Sequence, residues 1–187
     1  MQFRTTLAGL AVIALALPAA ADTLDLNLSS DAFGVKYIRE LPPEGLEAGA
    51  GLLYHDDDGQ LLEAEMHLVD QPEPGRDALL LGLGGKLVYA DDDVRDATGF
   101  SLAIGGKLNW TLPQYNRAAV GASLYFAPSV TSTSDIDGYQ SYAVQGEFKV
   151  LEDARLYLGY RHIELSFDGA SDRTFEDGLY GGIRLDF

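Results

Sequence analysis

Three histidines, at positions 55, 67 and 162, and no cysteine narrow the catalytic chemistry open to this chain of 187 residues. The most suggestive grouping is His162, Glu164 and Ser166, at i, i+2 and i+4. On a β-strand these share a face, and their residue types are those of a lipid-modifying hydrolase. The spacing argues against it. A His and a Ser four residues apart lie about 13 Å from one another along a strand, too far for a proton relay. No catalytic residue is assigned, and without cysteine there is no thiol nucleophile. Gly82, Gly84, Gly85, Gly105 and Gly106 suggest a phosphate loop. However, Lys86 is followed by Leu87 rather than Ser or Thr, and alternation runs on with no helix after it. Two acidic triplets, Asp56-Asp57-Asp58 and Asp91-Asp92-Asp93, offer the oxygens that Ca²⁺ and Mg²⁺ take and could bridge to lipopolysaccharide phosphates. Neither has EF-hand spacing, so they suit weak divalent-cation binding or plain solvated turns. No firm metal site and no cofactor is expected.

The elements that must position these residues are read from a period of two. Leu24, Leu26 and Leu28 alternate, then Phe33, Val35 and Tyr37 alternate in the opposite frame. A turn at 29–32 pairs 28 with 33, 26 with 35 and 24 with 37, which puts all six on one face. Alternating apolar runs follow: 46–54, 62–68, 79–89, 100–110, 120–126, 142–150, 156–160 and 179–187. Ile163, Leu165 and Phe167 fall on the opposite parity to Leu156, Leu158 and Tyr160, so a bulge is expected near Arg161-His162, the alternative being a strand that extends above the bilayer, where alternation is no longer enforced. LLGLGGKLVY (80–89) matches SLAIGGKLNW (101–110) at a shift of 21, about two strands of a barrel.

The pattern predicts an all-β fold: a small antiparallel up-and-down transmembrane β-barrel of about ten strands, with eight as the alternative. Reading the first hairpin as one bulged strand gives nine, which the even-number rule disfavours. Both ends then face the periplasm. Turns near 40–45, 71–76, 111–116 and 151–153 are expected on that side, and loops near 55–59, 90–96, 128–138 and 168–173 outside. Tyr54, Tyr89 and Phe126 fall at outer strand ends, and Tyr37, Trp110, Phe148 and Phe187 at periplasmic ends, as two aromatic girdles would. On the opposite, lumen-facing parity lie Glu63, Glu65, His67, Lys86, Lys107, Glu147, Lys149, Arg161 and Arg184. Mixed charges in a narrow barrel predict a paired network that plugs it, or a narrow charged pore. The final strand, ending on Phe187, has the spacing of an outer-membrane assembly signal, with Tyr180, Gly182, Leu185 and Phe187 in its key places.

Residues 1–21 read as a cleaved secretory signal peptide. Arg4 supplies the positive region, Leu7–Leu17 is an apolar run too short to span a bilayer, and Ala19-Ala20-Ala21 suits cleavage. Residues 22–187 form the second, barrel-forming unit. The whole chain carries a net charge of −16, from 13 basic and 29 acidic residues. This disfavours nucleic-acid binding, which needs a basic surface.

The LNLSSDA opening, GLLYHDDDG, LGLGGKLVYADDD, YFAPSV, RLYLGYRHI and DGLYGGIRLDF together resemble the YfaZ-type family of bacterial outer-membrane proteins. The likeness runs over essentially the whole mature chain and consists of strand and turn patterns. It implies fold and location, and it brings no functional residues with it. The expectation is a monomeric, non-enzymatic outer-membrane barrel with a minor porin-like or structural role. Its expected partners are outer-membrane lipids, lipopolysaccharide and the outer-membrane assembly machinery. The competing readings are a lipid-modifying outer-membrane enzyme and a soluble periplasmic ligand-binding barrel.

Overall fold

Period-two sequence becomes strands here because each residue type fits one side of a pleated wall. The computed structural model describes residues 22–70, 79–167, 169 and 171–187. The expected signal peptide (1–21) and the expected turn at 71–76 lie outside the described residues. Ten long strands form the wall: β1 (Asp22–Ser29), β2 (Ala32–Leu41), β3 (Leu46–His55), β4 (Gly59–Asp70), β5 (Leu79–Asp92), β6 (Ala97–Leu112), β7 (Tyr115–Ala127), β9 (Ile136–Leu151), β10 (Ala154–Phe167) and β11 (Arg173–Asp186). Each pairs antiparallel with its neighbours, and β1 pairs with β11 to close the barrel. Asp22 and Phe187 exchange both backbone hydrogen bonds, at 3.0 and 2.9 Å, so the seam is zipped to the last residue. The three-residue β8 (Ser132–Ser134) follows a 3₁₀ turn at Ser129–Thr131 and pairs with the upper part of β6, above the level where β7 takes over.

The first hairpin has the register that its alternation dictates: Leu24 opposite Tyr37, Leu26 opposite Val35, Leu28 opposite Phe33. Both ends of the wall, with the turns at 42–45, 113–114 and 152–153, lie on one side, the terminal end. The loops after β3, β5, β7 and β10 lie at the other, the loop end. Leu83, Ile104, Leu124, Leu158 and Leu179 are each more than half exposed on the outer wall, part of a continuous apolar belt. A soluble monomer rarely exposes so large an apolar surface. Tyr37, Trp110, Phe148 and Phe187 edge this belt at the terminal end. Tyr54 and Phe126 edge it at the loop end, with Tyr89 half-buried against Phe100, ring centroids 4.9 Å apart.

One expectation is overturned. β10 has no bulge at Arg161-His162. Tyr157, Ile163, Leu165 and Phe167 all point inward in one unbroken frame. The irregularity sits on the partner strand, where Ile163 pairs with Glu176 and Glu164 with Thr174, leaving Phe175 as the extra residue. The parity change on β10 reflects a change in the interior. Its inner face is polar toward the terminal end and apolar toward the loop end.

Candidate functional site

The inner wall is built in layers. At the loop end Leu53, Leu61, Val88, Ile163, Leu165, Phe167 and Phe175 form a buried apolar cluster that fills the barrel. Above them Arg173 bridges the carboxylates of Asp58 and Asp92, which belong to two different loop-end connections. Asp92 is wholly buried and also accepts from the backbone N–H groups of Val94 and Arg95, at 3.1 and 2.8 Å.

The next layer is ionic and aromatic. Lys36 Nζ lies 3.2 Å from Glu63 and 3.0 Å from Glu65; Lys86 Nζ lies 3.0 Å from Glu63 and 3.9 Å from Glu65. Two cations and two carboxylates thus neutralise each other, as buried charges must. Tyr139 donates to Glu63 at 3.3 Å, and Lys86 sits 4.4 Å above the Tyr125 ring. Tyr125 Oη and His67 Nε2 share a hydrogen bond of 2.7 Å across the lumen side of β5 and β6. Nearer the seam, Arg184 binds Asp25 at 3.0 Å and Glu147 at 3.1 Å, and Tyr157 donates to Asp25. Arg161 pairs with Glu176 at 2.8 Å and covers the Tyr180 ring at 4.7 Å.

Below this layer the interior opens. A cavity of about 620 Å³ runs from the Tyr125, Tyr139 and Ile163 level to the terminal end, where Thr111, Asn116, Arg117, Lys149 and Arg155 line it. Among the described residues the interior is therefore a vestibule that reaches the terminal end and is filled at the other. Lys107 stands in the vestibule with Glu47, 2.5 Å away, both side chains more than a quarter exposed.

The sequence-predicted lumen residues Glu63, Glu65, His67, Lys86, Lys107, Glu147, Lys149, Arg161 and Arg184 all lie on the inner wall, but not in one network. Glu63, Glu65 and Lys86 share the central cluster, Glu147 and Arg184 the seam cluster. Arg161 has its own partner, and Lys107 stands apart from all of these. Lys149 has no carboxylate within 4 Å among the described residues. Sequence reasoning missed Asp25, Lys36, Glu47 and Glu176 as their partners. The signal was present for two of them, since the hairpin that turns Leu24, Leu26, Val35 and Tyr37 outward turns Asp25 and Lys36 inward.

The acidic triplets do not assemble into a metal cluster, and among the described residues no three or more acids and histidines are grouped to hold a metal ion. Asp58 and Asp92 are taken by Arg173, Asp91 accepts from Gln60 at 3.2 Å, and Asp56, Asp57 and Asp93 are turn residues. His162 lies on the outer wall, its ring stacked on Tyr142 at 4.9 Å, with Nε2 4.0 Å from Glu164 and Nδ1 3.7 Å from Asp177. No hydrogen bond joins it to Ser166 among the described residues. In the terminal strand Tyr180 and Gly182 face inward. A Cβ on Gly182 would stand 2.4 Å from the Tyr157 hydroxyl, so this glycine makes room for the tyrosine that binds Asp25.

Three of the solved structures similar to this chain, all at low identity, are titled for membrane proteins, a porin and an outer-membrane channel. One, titled for the mechanism behind the in-meso crystallization of membrane proteins, is 14% identical with a TM-score of 0.49, over 90% of this chain and 83% of its own. The NanC porin is 10% identical with a TM-score of 0.49, over 90% of this chain and 99% of its own. The outer-membrane channel DcaP of Acinetobacter baumannii is 12% identical with a TM-score of 0.47; 87% of this chain aligns with 54% of that one. No curated protein matches the chain at a significant level. The family model described as YfaZ precursor matches residues 2–187, and the chain belongs to the YfaZ family.

Proposed function

We propose that this protein is an integral barrel of the bacterial outer membrane, exported through a cleaved leader and monomeric. In this reading it is closed toward the outside and acts without catalysis in a structural or minor porin-like role. One observation carries the reading: a barrel with a continuous apolar outer belt has its inner wall, among the described residues, filled by apolar side chains at the loop end. Such a belt suits lipid, and the even strand number sets both termini on one side, which in this reading is the periplasmic one. The belt's aromatic edges suit headgroup regions, and lipopolysaccharide would surround the loop end. The charged interior argues against a soluble carrier of apolar ligands, whose cavity would be lined by apolar side chains. The geometry of His162 and Ser166 supports no hydrolase.

The test is fractionation followed by planar-bilayer recording of the refolded chain. Recovery with the outer membrane after carbonate extraction, and no resolved conductance steps, are expected. Recovery in the soluble periplasm would overturn the membrane assignment. Steady unitary conductance would overturn closure and favour the porin-like role, for which the 620 Å³ vestibule would be the inner half of the pore.

A further inference from the structure

The vestibule has an uneven charge budget. Among the described residues eight basic side chains line the cavity, against six acidic ones, in a chain with only 13 basic residues to 29 acidic. The acidic residues lining it each have a cation within 4 Å: Asp25 and Glu147 hold Arg184, Glu63 and Glu65 hold the two central lysines, Glu47 holds Lys107, and Asp186 holds Arg155 at 3.0 Å. Arg117 and Lys149 are left with no carboxylate partner among the described residues. They are also neighbours. Lys149 is opposite Arg155 in the β9–β10 ladder. Ala118 is opposite Phe148 at the last rung of the β7–β9 ladder, and Arg117 and Lys149 are the next residue on each strand.

Three cations therefore lie on three adjacent strands at the vestibule mouth, and among the described residues one carboxylate, Asp186, pairs with one of them. Like charges directly opposite one another on a sheet destabilise it. Nothing in the pleat requires them here, because a solvated rim accepts Ser, Thr or Asn equally well. A cleft lined by one sign of charge between low-dielectric walls focuses potential onto ions of the other sign. Arg117 and Arg155 supply planar forks suited to carboxylate or phosphate oxygens, and Lys149 a point charge between them. Behind the row lies a cavity within the size range of small-molecule sites.

We infer that the row Arg117, Lys149 and Arg155 is a binding site for a small solute carrying carboxylate or phosphate groups, which enters the vestibule from the terminal end. The inference rests on the closed-barrel reading only for the side from which the solute arrives.

The full mature chain, refolded in detergent micelles, is titrated calorimetrically with citrate and separately with inorganic phosphate. Spermidine and glucose serve as cationic and neutral controls. Saturable binding of at least one anion is expected, weakening as NaCl rises because part of the site is solvated. The tighter of the two anions identifies the group recognised. R117Q/K149Q should lower that affinity at least about tenfold, the scale of losing two charge-assisted hydrogen bonds. Among the described residues neither has an ion-pair partner to strand, so the double variant should keep the parent's heat-modifiable migration, which is checked on the same sample. No saturable heat with either anion, equal affinity in the double variant, or a preference for spermidine would each overturn the site. A barrel that conducts in bilayers yet loses citrate binding in R117Q/K149Q would refute closure and uphold the site.

Discussion

His67 and Tyr125 meet across the lumen-side face of two intervening strands, Nε2 to Oη 2.7 Å, and they do so over a pair of glycines. Gly84 and Gly105 are opposite one another in the β5–β6 ladder. A Cβ on Gly84 would lie 2.8 Å from the His67 ring, and one on Gly105 would lie 2.6 Å from the Tyr125 ring and 2.0 Å from the Leu124 carbonyl oxygen. The glycine-rich repeat is thus an absence of side chain that lets two larger ones cross. Gly105→Ala should lower thermal stability by about 1–3 kcal/mol, the cost of overpacking. His67→Ala should cost a similar amount, by leaving the Tyr125 hydroxyl unpaired. Heat-modifiable migration against temperature reads both, and parental stability of Gly105→Ala would show that the strands separate without cost.

Lysines on the inner wall should not be equivalent. Lys86 is nearly buried between Glu63 and Glu65, and Lys86→Met strands that pair of carboxylates with Lys36 alone. Breaking such a pair typically costs about 3–5 kcal/mol. Lys107 and Glu47 are part-exposed in the open vestibule, and Lys107→Met should cost at most about 1 kcal/mol. Urea midpoints of the two refolded variants measure the difference. Equal losses would mean that water reaches the central cluster.

Arg173 ties Asp58 to Asp92 across the loop end, and Asp92 has no exposure to water. Arg173→Gln leaves the Asp92 carboxylate with backbone donors only, and a loss of about 3 kcal/mol or more is expected. The loop-end connections should become protease-sensitive, while the belt stays protected in detergent. Unchanged proteolysis of intact cells or micelles would show that the apolar cluster beneath holds the end by itself.

Phe187 closes the seam through its backbone but leaves most of its side chain on the outer wall. Phe187→Ser should therefore cost no more than about 2 kcal/mol of burial in detergent refolding. In cells it should impair assembly far more, since the terminal strand carries the spacing that an assembly receptor would read. Equal losses in the two assays would reduce Phe187 to ordinary packing.

Which side each residue faces was legible wherever polar and apolar types alternate, and so was the register of the first hairpin, because a one-residue slip would reverse its faces. The ion pairs were not legible. Lys107 finds Glu47 sixty positions away, a meeting set by barrel stagger and curvature, which no local spacing encodes. The β10 bulge failed for a different reason. Ile163, Leu165 and Phe167 read as a change of face because apolar residues were expected only outside, whereas the loop-end interior is itself apolar. The same mixture hid Leu53, Leu61 and Val88, inward residues that look like any strand former. Arg117, at the β7 start, lay just before an alternating run and carried no signal of its neighbours Lys149 and Arg155.

The layered interior also sets the dielectric seen by anything that enters. An ion in the vestibule keeps water and fixed charges around it as far as the central lysines and glutamates. The next layer offers only methyl groups and rings. Transfer of a bare ion into such surroundings carries an idealised solvation cost of order 20 kcal/mol, a barrier that widening the gap by an ångström would not remove. In the closed-barrel reading the loop end is thus an insulator rather than a narrow opening, and a mutation that shortens its side chains would admit apolar molecules before it admitted salt.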